Sequence, residues 1–277
     1  MRKIAWLLLV SMIFCLVGCA KQEQATAGQT AKYSQSHWIK SSDLKEQTTI
    51  HEDLTKILPD LKNLIEEALR GYDYLDWGQF REVVEIREFK DPTTAKAFTN
   101  ATAFYAAGSH IIVVCPDFFS IENSDQQTYI LTHELMHSLV GVGKDGSEET
   151  MNRFMEGIAD YLVNQVLFNT NLKYDLVYQN ELYCLSWLMA LYGNDNITEI
   201  ICSGGILDFI NEQTGDADAG KKLHDSLVTI DKSKDRKAVK NAILTEMDIL
   251  KKMSSSNTKV YKEFTKVFEK NYAPYLN

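Results

Sequence analysis

The sequence predicts an α+β protein, with a mixed α/β N-terminal lobe over about 42–145 and a mostly helical C-terminal lobe over about 146–277. Three observations carry this expectation. Short runs of strand character at 84–88, 103–105 and 110–115 lie between stretches of helical period. Beyond 146 apolar residues keep a helical period, and glycines at 193, 204–205 and 215 punctuate it. The composition, 45% hydrophobic and 24% charged, suits a globular chain with a sizeable core.

Arg2 and Lys3 precede a largely apolar run over 4–17. A bilayer span takes about 20 apolar residues, so this run is too short to cross and has the length of a secretion-signal core. It ends in Leu16-Val17-Gly18-Cys19, which resembles the bacterial lipobox. The resemblance implies that 1–18 is a lipoprotein signal peptide and that Cys19 carries lipid. The expected location is the cell membrane, with Cys19 as a lipid anchor on the extracytoplasmic, bacterial cell-surface face. Residues 19–41, polar and poor in bulky apolar side chains, read as a flexible tether.

From about 43 to 70 the pattern is helical and interrupted at Pro59, with a stripe of Leu61, Leu64, Ile65 and Leu69 closed by Gly71. Tyr72, Tyr74, Trp77 and Phe80 read as core. Val84, Ile86 and Glu88 alternate with Glu85 and Arg87 as a strand, which Asp91-Pro92 ends. The runs 103–105 and 110–115 form two further strands joined around Ala107-Gly108-Ser109.

The chain is organised around His133-Glu134-Leu135-Met136-His137, an H-e-x-x-H pattern set in the helical spacing of Ile130, Leu131, Leu135, Leu139 and Val140. On a helix, positions i and i+4 share a face, so His133 and His137 offer two imidazole nitrogens to one metal ion. Glu134 stands one position round, within reach of a water at that ion. Gly141, Gly143 and Gly146 then turn the chain, and Ser147, Glu148 and Glu149 suit the start of a second helix. That helix presents Glu156 towards the two histidines. Asp160, four residues on, shares its face and is suited to bond the far nitrogen of a ligating histidine.

His133-Glu134-x-x-His137 followed by Glu156 within Glu156-Gly157-Ile158-Ala159-Asp160 resembles the gluzincin group of zinc metallopeptidases. The resemblance covers about 95–165. It implies a zincin-like metallopeptidase fold, with 42–277 as the catalytic domain. It further implies Zn2+ held by His133, His137 and Glu156, Glu134 as general base, and Asp160 behind the ligands. The expected partner is a peptide or protein substrate, extended along the strand before the active-site helix, for which 110–114 is the candidate. Gluzincins add a downstream Tyr or His that steadies the oxyanion. His224 is favoured for that role over Tyr178 and Tyr183. The metzincin extension fits less well, because Val140 and Gly143 stand where glycine and histidine are required. A zinc-stabilised lipoprotein that binds a surface partner without cleaving it is the alternative.

Helices are expected over 172–192, 196–212, 218–230, 234–254 and 257–271. Gly141-Val142-Gly143-Lys144-Asp145-Gly146 matches a dinucleotide fingerprint literally, but it follows a helix rather than a strand and reads as a turn. Cys115, Cys184 and Cys202 form no C-x-x-C pair, so they hold either one Cys184–Cys202 bridge or free thiols. The net charge of −9 argues against nucleic acid or anionic lipid as the main partner.

Overall fold

The computed structural model describes residues 43–45, 49–93, 95, 101–140, 148–255 and 257–276. The expected signal peptide at 1–18, Cys19, the expected tether to 41 and the turn expected at 141–147 lie outside the described residues. The chain divides into two compact units: Gln29–Leu182 with Thr198–Ile206, and Tyr183–Ile197 with Leu207–Asn277 among its later residues. No helix among the described residues is long and apolar enough to cross a membrane.

The first unit begins with α1 (Thr49–Leu69), one helix that runs through Pro59 where the sequence pattern predicts an interruption. Leu58, Leu61, Ile65 and Leu69 are buried along one side, on both sides of the proline. Burying such side chains is worth about 1.5–3 kcal/mol each, against about 3 kcal/mol for an interior proline. Packing therefore outweighs the break. After α2 (Trp77–Glu82) comes a sheet of β1 (Glu85–Glu88), β2 (Ala103–Ala106) and β3 (Ile111–Val114), in the order β1-β3-β2. β3 runs parallel to β1 with Ile112 opposite Ile86, and antiparallel to β2 with Ile112 opposite Tyr105.

All four residues of β3 are buried, as befits a strand covered on both faces. This corrects the expectation that 110–114 lines the cleft. β3 is central, with both backbone edges paired, and among the described residues β2 is the outer strand on that side.

α3 (Ser124–Val140) carries the histidines, and every residue from 131 to 140 is buried. Its last turn is tied to the start of α2, where the N–H of Asp76 donates to the carbonyl of Leu139 at 2.7 Å. α4 (Glu148–Leu167) packs beside α3 through buried Phe154, Ile158, Ala159, Leu162 and Val163. The expected helix from 172 begins only at Gln179, and 171–178 has no regular secondary structure, with its backbone bonded to side chains of α3 and α4.

α5 (Gln179–Tyr192) and α6 (Asn194–Cys202) follow, then α7 (Ile206–Thr214), α8 (Ala219–Lys232), α9 (Arg236–Met253) and α10 (Thr258–Leu276). The pattern over 196–212 resolves into two helices because Gly204, at φ +83°, closes α6. The N–H groups of Gly204 and Gly205 there donate to the carbonyls of Ile201 and Ile200. α10 runs past the expected end at 271 and includes Pro274.

In the second unit Trp187 is buried against Phe264 and Phe268, and its indole N–H donates to Ser254 Oγ at 2.7 Å. A ring of this size needs both the apolar contact and a partner for its one donor. Cys115, Cys184 and Cys202 are free thiols.

Candidate metal centre

A buried helix carrying two histidines and a glutamate must find partners for them, since an unpaired polar group costs several kcal/mol there. α3 and α4 supply them. His133 Nε2 lies 3.1 Å from His137 Nε2 and 3.1 Å from Glu156 Oε2, and His137 Nε2 lies 3.3 Å from the same oxygen. The three atoms form a nearly equilateral triangle, with His133 and His137 buried and Glu156 half-buried.

The tautomer of His133 is fixed from behind. Asp160 Oδ1 lies 2.7 Å from His133 Nδ1, so the ring donates there and turns the lone pair of Nε2 towards the triangle. Two imidazole lone pairs and a carboxylate converging at about 3 Å repel one another unless positive charge sits among them. The same demand appears in the acid–base behaviour. Burial alone would depress His133, but its hydrogen bonds to Asp160 and Glu156 hold its pKa well above the ordinary range. Burial would raise Glu156, yet the charge of His137 and the bonds from both histidines hold it well below its ordinary range.

The donor set fits zinc. Ligand atoms about 2.0–2.1 Å from a tetrahedral ion stand about 3.3–3.4 Å apart, close to the separations found. Two imidazoles and one carboxylate are a ligand set of catalytic zinc sites, which keep one position open.

Glu134 is buried beside the triangle without belonging to it. Its Oε2 accepts the backbone N–H of Tyr105 on β2 at 2.8 Å. Burial pushes its pKa up, only partly offset by the charges of His137 and His133. A carboxylate fixed at one oxygen and raised in basicity is suited to taking a proton.

Asp160 is fully buried and accepts three bonds: from His133, from the hydroxyl of Tyr129, and from the N–H of Tyr178 at 2.9 Å. Tyr178, weighed below His224 on sequence, stacks its ring on His133 with centroids 5.4 Å apart. Burial and the charge of Glu156 push its hydroxyl well above the ordinary pKa, partly offset by Arg153, so it remains a donor. Arg153 lies over the same ring and is paired to Glu181 at 3.1 Å.

His224 belongs to the other unit, buried on α8 with Nδ1 3.5 Å from Asp225 Oδ1. Tyr183 also falls in that unit. Cys19 lies outside the described residues.

Sequence reasoning missed Tyr129 and Tyr105. Tyr129 had a usable signal, for it stands one turn before His133 on the same helix face. Tyr105 had none, because its contact with Glu134 depends on which strand lies outermost.

No protein-family model matches the chain, and neither does any curated protein or solved structure.

Proposed function

We propose that the chain is a zinc-dependent peptidase that hydrolyses peptide bonds. The observation that carries the proposal is the triangle of His133 Nε2, His137 Nε2 and Glu156 Oε2, with Glu134 fixed beside it. Zinc, when bound, supplies a Lewis acid that polarises a carbonyl and acidifies water near neutral pH. The protein residues do the rest. Glu134 takes the proton from the attacking water at the carboxylate oxygen that Tyr105 leaves free. The water oxygen bonds to the carbonyl carbon, the C–N bond breaks, and Glu134 returns the proton to the departing amine nitrogen. Tyr178 is the hydroxyl this proposal assigns to the developing oxyanion, in place of His224, because it stacks on a ligand and stays protonated.

An extended substrate pairs along the outer edge of β2, where the N–H of Tyr105 points to Glu134 and away from β3. By the lipobox resemblance, Cys19 tethers the enzyme to the extracytoplasmic face of the membrane, and its substrates are peptides or proteins met there.

The test is hydrolysis of an unstructured protein substrate by the zinc-loaded chain and by Glu134→Gln. The variant is expected to keep its zinc and lose activity by about 10²–10⁴-fold. A variant that cleaves at the parent rate contradicts the proposal. A parent chain that binds zinc and cleaves no peptide points instead to a zinc-stabilised surface-binding lipoprotein.

A further inference from the structure

Residues 173–178 make a set of backbone contacts that the hydrolytic step, which draws only on the Tyr178 side chain, does not use. Exposed Lys173, Asp175 and Val177 alternate with half-buried Tyr174, Leu176 and Tyr178, and no residue of 171–178 is buried. The backbone is nevertheless well bonded. Lys173 donates its N–H to Asp125 Oδ2 at 2.9 Å, and its carbonyl accepts from Asn123 Nδ2 at 2.9 Å. Gln126 serves Asp175 in both directions, accepting its N–H at 2.8 Å and donating to its carbonyl at 3.1 Å. The N–H of Val177 donates to the hydroxyl of Tyr129 at 3.2 Å, and that of Tyr178 to Asp160 Oδ2 at 2.9 Å. Tyr174 stacks on Tyr129 with centroids 5.1 Å apart and planes 13° from parallel. Side chains of α3, of Asn123 just before it and of Asp160 on α4 thus hold the backbone of the segment.

Two consequences follow from physical principle. A segment held by hydrogen bonds and little apolar burial is at the low-stability end of a fold. Its final contacts, moreover, are with the groups that orient His133. The Tyr129 hydroxyl donates to Asp160 and accepts from Val177, so it carries its full pair of bonds only when Asp160 is in place and the segment is docked.

We propose that 173–178 is a strap whose docking on α3 is coupled to occupation of the metal centre, with Tyr129 as the positioning residue that links them. The proposal rests on the metal centre assigned above. Coupling of this kind is reciprocal: the factor by which zinc favours the docked strap is the factor by which the docked strap favours zinc.

The test uses the full chain, zinc ion in competition with a chromophoric chelator, and amide hydrogen exchange along the strap. Gln126→Ala is the informative variant. It removes both bonds to Asp175, yet it lies seven residues before His133, about 10 Å away along the helix. Zinc is expected to slow exchange at Val177 and Tyr178. Gln126→Ala and Tyr129→Phe are each expected to weaken zinc binding by about fivefold or more. Because Tyr129 is buried and its variant risks misfolding, the half-buried surface change at Gln126 decides the matter. Zinc that binds normally while leaving strap exchange unchanged, or Gln126→Ala with a smaller loss of affinity, overturns the coupling and leaves the metal centre standing. A folded chain that takes up no zinc overturns both.

Discussion

The backbone N–H of Tyr105 donates to Oε2 of Glu134 at 2.8 Å, tying β2 to the carboxylate beside the candidate metal centre. Two substitutions at Glu134 therefore separate chemistry from folding. Glu134→Gln keeps an oxygen for Tyr105, and its melting temperature should stay near that of the parent. Glu134→Ala leaves a buried N–H unpaired and should cost about 1–3 kcal/mol, read by urea denaturation. Equal stability of the two variants would contradict this role for the bond.

Asp160 accepts from His133, Tyr129 and Tyr178 at once. Asp160→Ala removes the group that fixes the tautomer of His133 and strands three donors. Zinc affinity should fall by about 10–100-fold, measured by chelator competition on protein shown to be folded by circular dichroism. Asp160→Asn, which keeps one acceptor, should fall in between.

The thiols give a pH prediction. Burial, helped by the charges of Asp117 and Glu134, pushes the pKa of Cys115 up to about 12, and burial does the same for Cys202. An unfolded thiol titrates near ~8.5. Between those values the unfolded chain releases protons that the folded chain retains. The contribution of these thiols to stability is whole below about pH 8.5 and is lost as pH rises towards 12. Urea midpoints should fall from pH 8 to pH 9.5, and Cys115→Ala should flatten that fall. Ellman's reagent should find the thiols unreactive at pH 8 until the protein unfolds, since the thiolate is the nucleophile.

Gly220 supplies a packing prediction in the helical unit. A β-carbon there would stand 2.4 Å from the carbonyl oxygen of Leu207 and 2.7 Å from its α-carbon. Backbone cannot yield as a side-chain tip does, so Gly220→Ala should destabilise by about 1–3 kcal/mol. Gly71→Ala, where nothing lies within 4 Å, is the control and should change stability by about 0.5 kcal/mol or less.

What the sequence made legible follows from what is local. The i, i+4 placement of His133 and His137 is fixed by helix geometry alone, and Glu156 on the next helix joins them. The pairing of Asp160 with His133 followed from the same periodicity. Strand order was not legible, because β3 takes partners from both β1 and β2 and nothing within 110–114 names them. The unbroken run Ile111–Val114 did carry a signal of a doubly covered strand. The strap was hidden for a different reason. Its partners Asn123, Asp125 and Gln126 lie 48 to 50 residues away and read locally as an ordinary helix start. Pro59 misled because the apolar stripe on both sides of it carries more free energy than the proline costs.

The metal content of the purified chain, measured beside that of His137→Ala, tests the central claim most directly. The account predicts about one zinc per folded chain, lost in the variant while the helical circular dichroism signal persists. A folded chain that stays free of zinc after loading, or a His137→Ala variant that holds zinc as tightly as the parent, would contradict it.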